Sequence, residues 1–183
     1  MLSMKRYSSA FISLSLAAAA SAALAAGSHD GGHGSASHGA PSDASAASRT
    51  VDMVLADNYF EPESISVEAG ETVVFKVRNE GALVHEFNIG TPDMHAAHQE
   101  EMMMMIEHGV LAGDRIDMDA AQNMQESMGH GMHDDPNSVL LEPGESAEII
   151  WTFPEDATVT LEFACNVPGH YEAGMVGDFQ LAD

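Results

Sequence analysis

A chain of 183 residues that sets 29 acidic against 6 basic side chains carries a formal charge of -23, and it contains a single cysteine. The length suits one modest domain with accessory segments. The charge repels phosphate backbones and anionic lipid, which excludes nucleic-acid binding as a bulk property and favours metal cations or basic proteins as partners. One cysteine cannot form an intramolecular disulfide, which leaves it a buried thiol, a ligand or a nucleophile.

Residues 1–25 read as a secretory signal peptide. Lys5 and Arg6 precede an apolar run from Phe11 to Leu24, and Ala23-Leu24-Ala25 offers the small residues of a cleavage site. The run is short, interrupted by Ser and followed by Gly and Ser, so a membrane anchor is disfavoured. Cleavage would leave 4 basic groups against 29 acidic ones, in a protein with no membrane attachment that works outside the cytoplasm, in the periplasm. Residues 26–48 are rich in Gly, Ser, Ala and His, a composition that cannot offset the entropy of ordering, and a disordered linker is expected. His29, His33 and His38 within it are either loose metal ligands or parts of a solvated tail.

From residue 49 onwards apolar residues alternate with polar ones. Val51, Met53 and Leu55 share one face, as do Ile65 with Val67, and Val73 and Phe75 with Val77, while Lys76 and Arg78 point away. The pattern returns at Ala147, Ile149, Trp151 and Phe153, at Val159, Leu161 and Phe163, and at Phe179 and Leu181. Turn residues separate these runs at Glu61-Pro62, Ala69-Gly70, Asn79-Glu80-Gly81 and Pro143-Gly144. Short strands without helical crossovers predict an all-β antiparallel sandwich or barrel over 49–183.

Residues 93–136 interrupt that rhythm with Met, His and acidic side chains and read as an insertion. Thr91 is an N-cap candidate, Pro92 suits the first helical position and Gly109 can end the helix, so a helix is expected over about 92–108, with a loose remainder. Without the insertion, 91 residues remain from position 49 on, the size of a small sandwich. Met94, His98, Met102 and Met105 follow one helical stripe, which is ordinarily packing. The run Met102-Met103-Met104-Met105 nevertheless exceeds one face, and Met118, Met124, Met128, His130, Met132 and His133 continue beside Asp134 and Asp135. Thioethers suit Cu(I) and imidazoles accept either copper state, so auxiliary copper binding stands against packing over the sandwich and partner docking.

The chemistry concentrates near the C-terminus, where Cys165, His170 and Met175 occupy one loop between two strands. Two His and one Cys with a weak axial Met form a blue-copper set. The second His is expected at His85, on a strand from Leu83 to Ile89 whose His85, Phe87 and Ile89 face inward while Glu86 and Asn88 point away. By the same parity Cys165 continues the face of Leu161 and Phe163, and Met175 that of Phe179 and Leu181. The bland alternatives are a structural thiol and a core methionine. Catalysis by Cys165 with His170 as base lacks an oxyanion hole and an orienting third group, so no enzyme is expected.

Cys-x4-His-x4-Met on a last hairpin, with an upstream inward His, resembles the cupredoxins, the blue copper proteins, over residues 50–92 and 137–183. The resemblance implies a Greek-key β-sandwich with one type 1 copper at one end, held by His85, Cys165, His170 and, axially, Met175. The export signal, the Met- and His-rich insertion and Val84-His85-Glu86-Phe87 most resemble the CopI-type copper-tolerance cuproproteins of bacterial periplasms. That likeness implies a protein that binds, buffers or hands on copper, with further copper at the insertion. The alternative is a soluble electron carrier whose acidic surface steers it to a redox or copper-handling partner. One departure stands out: Glu86 follows the first His where many cupredoxins have Asn or Asp.

Overall fold

The computed structural model describes residues 38–129 and 135–182. The expected signal peptide, His29, His33, His130, Met132, His133 and Asp134 lie outside them. Period-two alternation yields strands β2 (Arg49–Ala56), β4 (Ser64–Glu68), β5 (Thr72–Asn79), β6 (His85–Gly90), β8 (Ser146–Thr152), β9 (Leu161–Ala164) and β10 (Val176–Ala182). Three short strands join them: β1 (Ala40–Pro41), β3 (Tyr59–Glu61) and β7 (Ser138–Leu141). The strands form two five-stranded sheets in the orders β1-β8-β5-β2-β3 and β4-β10-β9-β6-β7.

The facing sides interlock as the alternation requires. Met53, Leu55, Val73, Phe75, Val77, Ile149 and Trp151 of the first sheet meet Ile65, Val67, Phe87, Ile89, Leu161, Phe163 and Phe179 of the second in one buried cluster. The aromatic rings meet edge to face, Phe60 with Phe163 at 5.2 Å and Phe153 with Phe179 at 4.8 Å between centroids. Gly177 pairs with Phe163, whose ring fills the space a Cβ at that position would need.

Three expectations need correction. The sandwich is mixed rather than antiparallel, because β2 pairs parallel with β5 and β4 with β10. Parallel neighbours need a crossover, and β3 and β4 supply one by carrying the chain from the first sheet to the second before β5 returns. Secondly, the segment before residue 49 is partly built into the sheet. β1 pairs antiparallel with β8, Ala44–Ala46 form a 3-10 turn, and the indole N–H of Trp151 donates to the His38 carbonyl at 3.0 Å. Composition alone misses such an attachment because backbone groups of any sequence can extend an open sheet edge.

Thirdly, the insertion is ordered beyond its first helix. That helix, α1, spans Pro92–Glu107, capped by Thr91, whose hydroxyl accepts from Met94 N, and followed by Gly109 at φ 74°. A second helix, α2 (Met118–Met128), is capped by Asp117 and ends at Gly129 at φ 72°. Met102, Met105, Val110, Leu111, Ala121 and Met124 bury one another between the helices in a small core of their own.

Candidate metal centre

His85 opens β6, Cys165 follows β9, and His170 and Met175 lie on the loop that turns into β10. β6 and β9 are antiparallel neighbours, with Asn88 opposite Ala164, so the two ligand-type side chains emerge at the same end of one sheet. The loop from Cys165 to Met175 is closed by its own backbone. His170 N donates to Val167 O at 2.9 Å, Met175 N to His170 O at 2.9 Å, and Cys165 N to Met175 O at 3.1 Å. Gly169 and Gly174 take φ values of 89° and 100°, which residues with a Cβ rarely adopt, so the tight winding relies on them.

The structure brings three of the four expected residues together by their donor atoms: one atom each from His85, Cys165 and His170 lies within 4.8 Å of the other two. Cys165 Sγ stands 3.3 Å from His170 Nδ1 and 4.0 Å from His85 Nδ1. Bonds of about 2.0 Å to nitrogen and 2.3 Å to sulfur, the lengths usual for zinc, would set the corners of a trigonal plane about 3.5–3.7 Å apart. The observed pair brackets that spacing, and the soft sulfur with two imidazoles is the donor set copper takes. Met175 is fully buried in the cluster that includes Cys165, tied to it through the main chain. Among the described residues this is the one group of three or more His, Cys, Asp or Glu side chains so close together.

Burial pushes the Cys165 thiol up to about 12, against the N–H that Glu86 donates to Sγ at 3.3 Å. Without a cation the sulfur therefore keeps its proton at neutral pH, and a bound metal would have to displace it. Burial likewise lowers His170, and the neighbouring His85 lowers it further, which favours the neutral ring a metal needs.

Glu86 and Asn88 do point away from the sandwich core, as parity requires, yet both are buried. Helix α1 covers that face of the sheet. The Glu86 carboxylate accepts from His98 Nε2 at 2.9 Å, Ser138 Oγ at 2.6 Å, Asn166 N at 3.1 Å and Asn166 Nδ2 at 2.9 Å. Burial opposes its charge, but His98 above all, with Ser138 and Asn166, holds it below the usual carboxylate range. For His98 burial also opposes the charge, but Glu86, together with Glu101 3.0 Å from Nδ1, outweighs it, raising the imidazole to about 9. Glu86 thus binds the residue after Cys165 through its carboxylate and Cys165 itself through its backbone, joining loop, strand and insertion.

Sequence reasoning missed the residues behind His85. Asp57 Oδ1 lies 3.0 Å from His85 Nε2 and also accepts from Ala82 N at 2.9 Å and Leu83 N at 3.3 Å. Buried Asn79 fixes the same loop, donating to Leu83 O at 2.8 Å and Leu141 O at 2.9 Å. The one available signal was Asp57-Asn58, a hairpin turn between β2 and β3 with Asn58 at φ 70°.

Comparison with known proteins bears on the family and the fold. A family model described as a cupredoxin-like domain matches residues 14–113, taking in His85 and ending before the loop of Cys165. A copper-resistant cuproprotein CopI of Pseudomonas aeruginosa is 51% identical over 160 residues, 81% of this chain and 84% of that protein. Its namesake from Rubrivivax gelatinosus is 40% identical over 141 residues, 76% and 70% of the two chains. Among solved structures, auracyanin B superposes with a TM-score of 0.53 at 24% identity, covering 80% of this chain and 97% of its own. Auracyanin from Roseiflexus castenholzii gives 0.51 at 23%, covering 75% and 99%. With its two-sheet sandwich, its His-Cys-His cluster at one end and relatives of this closeness, the chain belongs to the cupredoxin family.

Proposed function

We propose that the protein is a periplasmic copper-binding protein of copper tolerance, holding one type 1 copper through His85, Cys165 and His170 with Met175 as axial ligand. The observation that carries the reading is the convergence of one donor atom from each of His85, Cys165 and His170 within 4.8 Å, beside buried Met175. Copper would supply a centre cycling between Cu(II) and Cu(I). The chain's part is to exclude water, deliver the sulfur without its proton and hold both rings. The relatives named for copper resistance support the cellular role, and the N-terminal Lys5 and Arg6 ahead of an apolar run support export. No catalytic residue is assigned, and the sequence neighbours of Cys165 are Ala164 and Asn166 rather than histidines.

Packing claims part of the Met-rich insertion, since Met102, Met105 and Met124 are buried. Met103, Met118 and Met128 are exposed and remain available as thioether ligands for additional Cu(I). A second reading, a soluble electron carrier, is favoured by His170, which is only half-buried beside a groove bordered by Glu100, Glu107 and Glu172. Those carboxylates suit a basic partner.

Adding Cu(II) to the purified protein is expected to give an intense visible thiolate-to-copper band that Cys165→Ser abolishes. A colourless wild-type protein with a native fold overturns the type 1 assignment. Replacing Met103, Met118 and Met128 together by Leu is expected to lower Cu(I) stoichiometry while leaving the band intact; unchanged stoichiometry refutes the auxiliary role. Reduced protein that passes electrons to a periplasmic cytochrome faster than to oxygen would move the assignment to the carrier.

A further inference from the structure

The side of His85 facing away from Cys165 is occupied by a carboxylate that an ordinary surface aspartate would not bring there. Asp57 sits in the two-residue turn between β2 and β3, on the other sheet from His85. Its Oδ1 lies 3.0 Å from His85 Nε2, while Nδ1 of the same ring lies 4.0 Å from Cys165 Sγ. The approach is built in. Two backbone N–H groups, of Ala82 and Leu83, anchor the same oxygen, and Asn79 holds the intervening loop by accepting from Gly81 N at 2.9 Å. At Gly81 a Cβ would come within 2.5 Å of Asp57 Oδ1 and 2.7 Å of His85 Nε2, so a side chain there would force the pair apart. His85 is completely buried, whereas the Asp57 side chain keeps 41% of its surface in water, which lets it carry a charge without stranding it.

We infer that Asp57 is a positioning residue of the metal centre, fixing the tautomer of His85 and placing a negative charge behind it. An ionised carboxylate only accepts hydrogen bonds, so Nε2 must carry the ring proton, leaving the Nδ1 lone pair directed at the site. A carboxylate behind a ligating imidazole also raises its basicity and orients the ring. The added charge favours Cu(II) over Cu(I). This rests on the proposed copper site, but its first consequence belongs to the metal-free protein.

The test uses the full chain with two substitutions of Asp57 and a control at Glu148. Asp57→Ala removes acceptor and charge, whereas Asp57→Asn keeps an acceptor oxygen and removes the charge. Long-range 1H–15N spectra of the metal-free protein are expected to show His85 as the Nε2–H tautomer in the wild type and in Asp57→Asn, and a tautomer mixture in Asp57→Ala. With copper, both variants are expected to lose about 10- to 100-fold in Cu(II) affinity. In Asp57→Asn, Cu(I) affinity should change little, so a tenfold loss of Cu(II) preference appears as a rise of about 59 mV in the one-electron potential. Glu148→Gln, which removes an equal charge from β8, should leave tautomer and potential unchanged. A purely loop-holding role for Asp57 would alter stability but not the potential of a natively folded Asp57→Asn protein. The inference is overturned if His85 keeps its tautomer in Asp57→Ala, or, should that variant not fold, if Asp57→Asn has the wild-type potential. A wild-type protein without the visible band would sink the copper assignment instead, and the tautomer comparison would still judge Asp57.

Discussion

Replacing His98 by Ala removes the cationic partner of a carboxylate that is 2% exposed and leaves Glu86 with Ser138, Asn88 and Asn166 as donors. Holding an imidazole at about 9 instead of 6.5 corresponds to about 3 kcal/mol favouring the protonated native form. Because that value is raised, the contribution is fully present below pH 6.5 and is lost as pH climbs through about 9. Glu86 is depressed, so its contribution is present above its ordinary 4.5 and disappears as pH falls through its lowered native value. The gap between wild type and His98→Ala should therefore be widest near pH 6, at about 4 kcal/mol, and shrink by about 3 kcal/mol by pH 9.5, leaving about 1 kcal/mol, the worth of a neutral hydrogen bond. Urea unfolding of the metal-free, reduced protein measures it, and comparing the two proteins at each pH cancels the titration of groups they share. Equal m-values are required, so that the midpoint shift reports stability. A gap of the same size at pH 6 and pH 9.5 would refute the ion pair as the link between α1 and the sheet.

Met175→Leu conserves volume at a buried position, so metal-free stability should fall by less than about 1.5 kcal/mol. The copper absorption and potential should shift nonetheless, and an unaltered spectrum argues against axial ligation. Gly81→Ala should weaken Cu(II) binding by about tenfold or more, because its Cβ meets Asp57 and His85; isothermal titration that finds wild-type affinity would show that the contact relaxes freely. Neighbouring methionines should part company in thermal or urea unfolding. Met102→Ala, at 1% exposure, is expected to cost about 2–4 kcal/mol. Met103→Ala, at 47% exposure, should stay within about 0.5 kcal/mol of wild type.

Much of the site is written in local pattern. Strand parity turns His85, Cys165 and Met175 to the side of Phe87, Phe163 and Phe179, because successive side chains in a strand alternate faces whatever lies around them. Thr91, Pro92 and Gly109 mark the bounds of α1 through capping, which is equally local. The same pattern left β3, β7 and α2 unread. β3 and β7 are three and four residues long, too short for alternation to register, and α2 carries its apolar residues on a narrow face among polar ones.

What only the folded chain decided are the contacts between segments far apart in sequence. Alternation states which face Glu86 takes, but not that α1 will cover that face and make a solvent-facing carboxylate into a buried one paired with His98. Nothing near Asp57 announces an imidazole 28 positions later, and nothing in the Gly- and Ala-rich segment announces a partner on β8. The covalent chain and its alternation determine the direction of each side chain; what meets it there is determined by the pairing of the sheets and the docking of the insertion, which are cooperative properties of the whole sandwich.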